Sequence, residues 1–173
     1  MMRDIIHTKK LIPAILLLYL CGCKTQTTDI LLLDYGSPKT PKIEQRLKTL
    51  GVSYLVTADP LTITQIKEIN PKGIIMSGSP ESVLGKDSPR PPREMYDMGI
   101  PILGDCYGFQ LMADQLGGQV VHCEKAERGI IDTMTITGKC DLVPDDIKKL
   151  KVYYFHADCV SSLPSDLSIF ICS

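Results

Sequence analysis

Residues 99–120, GIPILGDCYGFQLMADQLGGQV, leave this chain few options for how it folds. A β-rich apolar run at 100–103 passes through Gly104-Asp105-Cys106-Tyr107-Gly108 into a segment whose apolar residues Phe109, Leu111, Met112 and Leu116 recur at helical spacing. The pattern predicts a strand, a sharp turn and a helix. A cysteine at the apex of such a turn is lifted out of the sheet onto a helix N-terminus, where unpaired N–H groups and the helix dipole favour its thiolate. Gly104 and Gly108 supply the small neighbours that so tight a turn requires. These features describe a nucleophile elbow with Cys106 as nucleophile, the cysteine counterpart of the serine turn in hydrolases. A cysteine by itself is more often a small buried hydrophobe. A core cysteine, however, has no need of flanking glycines at a strand-to-helix junction.

Upstream, buried strands alternate with helices. Ile30-Leu31-Leu32-Leu33 is a continuous apolar run ended by Asp34-Tyr35-Gly36-Ser37, a strand entering a turn. Pro38 and Pro41 delay a helix expected over 43–50, with Gly51 as its stop, and a short strand follows at 52–57. Residues 61–68 read as a helix with Thr62 or Thr64 in its first turn, closed by Asn70-Pro71. The next strand, Gly73-Ile74-Ile75-Met76, breaks into Ser77-Gly78-Ser79-Pro80-Glu81, a turn rich in backbone donors. The alternation predicts an α/β fold with a mostly parallel central sheet and helices on both faces. After Gly118 the pieces become shorter and β-like, at 119–123, 130–137, 152–155 and 167–171, with a short helical stretch expected at 147–150.

A chain of 173 residues corresponds to a single domain. Its formal net charge of -1, with no long basic run, excludes an electrostatic footprint for nucleic acid. Seven scattered cysteines, at 21, 23, 106, 123, 140, 159 and 172, point to a reducing compartment more than to a disulfide framework. Cys21 and Cys23 have no second pair at zinc-finger spacing, so no metal site is expected. The first residues pull the other way. Arg3, Lys9 and Lys10 precede a mostly apolar run at 11–20 and then Leu20-Cys21-Gly22-Cys23, which resembles an export signal ending in a bacterial lipoprotein box. The apolar run is too short to span a bilayer. Residues 1–28 are therefore set apart as an extension or lipoprotein-like signal segment, and 29–173 as the folded domain. The expected location is cytoplasmic, with a membrane anchor through Cys23 as the alternative.

Four blocks, ILLLDYGS, PKGIIMSGSPESV, PILGDCYGFQLMADQLGGQV and VYYFHADCV followed by SSLP, together resemble class I glutamine amidotransferase domains, most closely the amidotransferase half of GMP synthases. The resemblance implies that Cys106 attacks the side-chain amide of glutamine, giving a γ-glutamyl thioester and ammonia for amination of XMP to GMP. It implies that the backbone N–H groups of Gly78 and Tyr107 face the oxyanion, where fixed donors lower the barrier because charge appears only during attack. Gln110 matches a glutamine-contacting side chain, although its local sequence alone reads as a solvated helix face. His156 and Asp158, in Phe155-His156-Ala157-Asp158, match a Ser-His-Gly-Asp block that lines the glutamine site, although His156 on its own reads as a structural histidine, as does His122. The implied partners are glutamine and a separate ATP-pyrophosphatase (synthetase) subunit. No cofactor is expected in this chain, because ATP and magnesium belong to that synthetase.

Departures from the family pattern set a second group of expectations. The family's general base and its orienting acid lie in a later His-Pro-Glu segment, which would fall beyond Ser173. The histidines of this sequence, His7, His122 and His156, are not followed by Pro-Glu. A Cys–His–Glu system acts as a unit, so a C-terminally truncated domain is expected to hydrolyse glutamine weakly or not at all. Asp105 replaces an apolar residue before the nucleophile and should raise the thiol's pKa. Ser79 replaces a second glycine in the oxyanion turn, where any left-handed backbone requirement would be strained.

Overall fold

Strand β1 (Ile30–Leu33) lies at the centre of a four-stranded parallel sheet with the order β2-β1-β3-β4. The computed structural model of the chain describes residues 27–136, 143–165 and 171–172. β1 pairs with β2 (Tyr54–Thr57) on one side and β3 (Gly73–Met76) on the other, Leu32 standing opposite Val56 and Ile75. β4 (Ile102–Gly104) adds to β3. The apolar run of β1 has a simple cause. Leu31 and Leu33 face a core shared with Ile66, Ile74, Met76, Tyr107 and Leu111, while Leu32, on the opposite face, is also fully buried.

The helices form where local chemistry starts and stops them. α1 (Thr40–Thr49) carries Pro41 in its first turn and ends before Gly51, whose φ is +67°. It begins three residues earlier than the sequence suggests, because Pro41 opens the helix rather than delaying it. α2 (Ile63–Ile69) has a reciprocal cap: the Gln65 N–H donates to Thr62 Oγ1 and the Thr62 N–H to Gln65 Oε1. Asn70 closes it in the left-handed conformation, with φ +49°, just before Pro71. A short 3-10 helix (Arg93–Met98), not anticipated from sequence, buries Met95 and stops at Gly99. α3 (Tyr107–Gln115) follows β4 directly. Among the described residues no helix is long and apolar enough to cross a membrane.

A second, antiparallel sheet has the order β6-β5-β7. The two β pieces expected at 119–123 and 130–137 are one strand, β5 (Gln119–Ile136), whose register with β6 (Lys149–Ser162) breaks between His122 and Glu127. The helical expectation at 147–150 is overturned. The Ile147 N–H closes a turn onto the Pro144 carbonyl, and Lys149 and Leu150 already pair with Thr135 and Met134. Four residues cannot nucleate a helix against a partner strand that satisfies their backbone at once. β7 (Ile171–Cys172) takes up the end of the strand expected at 167–171, of which 167–170 lie outside the described residues. The leader reading of 1–23, with Cys21, Cys23 and His7, and Cys140 also lie outside them. The cysteine reading needs correction, because Cys123 on β5 and Cys159 on β6 are joined by a disulfide.

Asp29 ties together the starts of β1, β2 and β3. Its carboxylate accepts from the Ser53 hydroxyl at 2.6 Å and pairs with Lys72 Nζ at 2.6 Å, while its carbonyl accepts from the Lys72 and Gly73 N–H groups. The Lys72 ammonium first, then Ser53, hold the carboxyl down at about 2 against an ordinary 3.8. A carboxyl whose folded pKa is depressed stabilises the fold above its unfolded value and loses that contribution as pH falls through the folded one. Asp29→Asn is therefore expected to flatten the acid limb of stability between about pH 4 and pH 2. Urea midpoints measured across that window check this, and a variant profile parallel to the parent's would refute it.

Candidate active site

The turn after β4 is held by the end of β3. The Asp105 N–H donates to the Met76 carbonyl at 2.9 Å, and the Gly108 N–H donates back to the Asp105 carbonyl at 2.9 Å. Between them Cys106 has φ +49° and ψ -105°. Among the described non-glycine residues only Asn70 shares a positive φ. A strained side-chain-bearing residue at a strand-to-helix turn is what a nucleophile elbow requires, and the strain persists only because the surroundings over-determine it. The flanking glycines explain how. A Cβ on Gly104 would lie 2.5 Å from the Phe109 nitrogen, and one on Gly108 would lie 2.4 Å from the Met76 carbonyl oxygen.

Gly78 stands beside Cys106, since a Cβ placed on it would be 3.6 Å from Cys106 Cβ and 3.3 Å from Ser37 Oγ. Its turn is braced from behind by Asp34, which the sequence reading placed only at the end of the first strand. One Asp34 carboxylate oxygen accepts from the Gly36 and Ser37 N–H groups, from the Thr40 hydroxyl at 2.7 Å and from the Ser77 hydroxyl. The Tyr35 N–H in turn donates to Ser77 Oγ at 2.9 Å. The loops after β1 and β3 are thus one hydrogen-bonded unit. Ser79 is not in the left-handed region, so the strain anticipated for it does not arise.

Tyr107 is buried, its hydroxyl donating to the Pro89 carbonyl at 2.7 Å and its ring tilted against Tyr35 at 5.4 Å. Its backbone N–H points to the Cys106 thiol and favours the thiolate. That donor does not win. Burial first, then the Asp105 carboxylate, push the Cys106 thiol above its ordinary value, while Lys39 pulls it down and Asp158 adds to the rise. The expectation about Asp105 holds in direction. The expectation that the helix N-terminus would leave a favoured thiolate does not, because desolvating a charge outweighs one N–H. Lys39, at the start of α1, is the cation that sequence reasoning missed; nothing in its neighbourhood along the chain marks it.

Gln110 is buried, not on a solvated face, and its Nε2 donates to the Asp158 carbonyl at 2.7 Å, tying α3 to β6. Asp158 is buried too, and its carboxylate meets His122 Nδ1 at 2.7 Å. His122, read as structural from sequence, thus orients an acid that acts on the thiol. His156 is placed elsewhere, with Nδ1 3.8 Å from Cys123 Sγ. The structure therefore gathers Cys106, Gly78, Tyr107, Gln110 and Asp158 around the elbow and sets His156 against the disulfide. Chemically, the arrangement offers a half-buried thiol with backbone donors beside it and an acid-lined wall, a setting for attack on an uncharged carbonyl.

Comparison with known proteins agrees with this fold. Residues 31–173 match the family described as Glutamine amidotransferase class-I. The GMP synthase [glutamine-hydrolyzing] of Pseudoalteromonas atlantica is 41% identical over 142 residues, covering 78% of this chain and 27% of that protein. The chain thus spans about a quarter of the length of the curated relatives it matches. Among solved structures, a GMP synthase subunit protein of Thermoplasma acidophilum superposes with a TM-score of 0.67 at 20% identity, covering 86% of this chain and 74% of that one. A glutamine amidotransferase of Thermotoga maritima gives 0.67 at 16% identity, covering 84% and 66%.

Proposed function

Because the chain belongs to the class I glutamine amidotransferase family, we propose that Cys106 is the nucleophile that captures the side-chain amide of glutamine. The thiol gives its proton to solvent, the thiolate adds to the amide carbon, the N–H groups of Gly78 and Tyr107 receive the oxyanion, and the C–N bond breaks as the departing nitrogen takes a proton back from solvent, giving a thioester and ammonia. Water then releases glutamate. The observation that carries this reading is the strained Cys106 backbone with Gly78 at its side. Gln110 and Asp158, joined by the bond from Gln110 Nε2 to the Asp158 carbonyl, are the residues assigned in this reading to hold the amino-acid end of glutamine. His156 has weaker support for that role, since it lies against Cys123.

In this reading, supported by the relatives named GMP synthase [glutamine-hydrolyzing], the ammonia serves amination of XMP to GMP by a synthetase partner, to which ATP and magnesium would belong; acyl transfer to a thiol needs neither. The setting that fits such a biosynthetic role is the cytoplasm. An N-terminus found lipidated at Cys23 by mass spectrometry would overturn that placement. The thiol is pushed up by burial and Asp105, which lowers the thiolate fraction at neutral pH and slows the attack. A second reading, binding of glutamine or of a synthetase partner without chemistry, rests on that same raised thiol.

A chloroketone analogue of glutamine separates the readings. The expected result is alkylation of Cys106, identified by peptide mass spectrometry and prevented by excess glutamine. Glutamine binding by calorimetry with Cys106 unmodified after long exposure would establish the binding reading instead. Because the thiol's pKa is raised, the alkylation rate is expected to climb throughout the range from pH 7 to pH 9 without levelling.

A further inference from the structure

On the other side of Asp158 lies a cluster that the acyl-transfer chemistry does not use. Cys123 Sγ, Cys159 Sγ and a ring nitrogen of His156 all lie within 4.8 Å of one another, each on a half-buried residue. We propose that in the reduced chain these three side chains form a binding site for a thiophilic divalent cation, zinc by preference, and that the Cys123–Cys159 disulfide is the oxidised form of the same site.

The backbone explains why the ligands converge. On β6 the spacing is His-x-x-Cys, which in a regular strand would send His156 and Cys159 to opposite faces. The register with β5 breaks here, so that residues 123–126 stand against Ala157 alone between the pairs His122–Asp158 and Glu127–His156. That bulge turns Cys123 toward both, with Cα atoms of Cys123 and Cys159 5.3 Å apart and Cys123 Sγ 3.8 Å from His156 Nδ1. Tetrahedral zinc with bonds of about 2.3 Å to sulfur and 2.0–2.1 Å to nitrogen asks for ligand atoms separated by about 3.5–3.8 Å. The distance from Cys123 Sγ to His156 Nδ1 already meets this. The sulfurs can reach it once their bond is broken and the side chains rotate, their Cα atoms standing 5.3 Å apart. Two thiolates and one imidazole fill three positions, leaving the fourth to water.

The chemistry balances without any unnamed reagent. A dithiol reductant gives two electrons and two protons to the disulfide and leaves as its own disulfide; zinc then displaces the two thiol protons to solvent and takes neutral His156 through nitrogen. In the reverse direction, a small-molecule disulfide accepts the two electrons after the metal has left. The cluster adjoins the wall of the candidate active site, because Cys123 follows His122 and Cys159 follows Asp158, yet it stands independently of the glutamine reading.

The test uses the whole 173-residue chain, reduced with a phosphine, cleared of reductant under anaerobic conditions and titrated with cobalt(II). The expected result is one cobalt per chain, with thiolate-to-cobalt charge-transfer absorption, the intense visible bands of tetrahedral cobalt, and displacement by one equivalent of zinc. Cys159→Ser is expected to weaken binding by about 100-fold or more and His156→Asn by about 10- to 100-fold, the range that loss of even an outer partner produces. Prior oxidation with glutathione disulfide is expected to remove binding altogether. A reduced parent chain without the charge-transfer band overturns the proposal, as does a band that survives in Cys159→Ser, which would place the metal on other cysteines. The parent titration stands even if a variant fails to fold.

Discussion

Gly108→Ala is expected to lower the thermal midpoint of this chain by about 6–12 °C and to abolish alkylation of Cys106 by a glutamine-mimicking chloroketone. The Cβ would be created 2.4 Å from the Met76 carbonyl oxygen and 2.7 Å from Met76 Cβ, so α3 must move away from the end of β3. Overpacking a well-filled site costs about 1–3 kcal/mol when side chains can give way, and here the nearest atom is backbone. The loss of reactivity follows from what that carbonyl does. It accepts the Asp105 N–H, the bond that pins the turn in which Cys106 keeps its positive φ. Once it is displaced, the strained conformation relaxes toward an ordinary one and the thiol leaves Gly78. Gly117→Ala is the control. Its φ of +96° penalises a side chain, but nothing lies within 4 Å of the new atom, so about 1 kcal/mol is lost and alkylation is retained. Equal losses in the two variants, or an unaltered alkylation rate in Gly108→Ala, would mean that crowding at β3 does not hold the elbow.

This dependence on backbone proximity also explains how much could be read from the chain alone. The elbow, the buried run of β1 and the Gly73–Met76 strand were legible because each is encoded within a few residues. The start of α2 was read only to within Thr62 or Thr64, and the reciprocal cap with Gln65 went unnamed although the two residues are three apart. β5 and β6 were read as fragments because their pairing joins Gln119 to Ser162 and Thr135 to Lys149 across a shifted register, which no local pattern states. The joining of Cys123 to Cys159, 36 residues apart, depends on that same register. The site was half legible. Motif blocks gave roles to Cys106, Gly78, Tyr107, Gln110, His156 and Asp158, but none to Asp34, whose carboxylate joins two loops, nor to Lys39, whose cation reaches the thiol from the start of another helix. Asp105 gave the right sign for the thiol's shift and the helix N-terminus the wrong one; the largest cause, burial, is a property of the assembled fold, and sequence spacing carries no measure of it.

The tie between α3 and β6 gives the other large effect. Gln110→Glu is expected to make stability steeply dependent on pH, costing about 2–4 kcal/mol at pH 8 and less than about 1 kcal/mol near pH 4. In the parent the side-chain amide is buried and its Nε2 donates to the Asp158 carbonyl at 2.7 Å. An ionised glutamate there has no proton to give, sets an oxygen against an oxygen, and adds a buried charge near the carboxylate of Asp158. A protonated glutamate restores the donor. Folding therefore favours the protonated form and raises the new carboxyl's pKa above its unfolded value. The stabilisation is complete below that unfolded value and is lost as pH rises through the folded one. Gln110→Leu separates charge from hydrogen bonding, since it leaves the Asp158 carbonyl unpaired at every pH and is expected to cost a roughly constant 1–2 kcal/mol. Urea titrations of both variants from pH 4 to pH 8 decide the matter. A Gln110→Glu profile as flat as that of Gln110→Leu would show that residue 110 is hydrated in solution and that the two sheets are not joined through it.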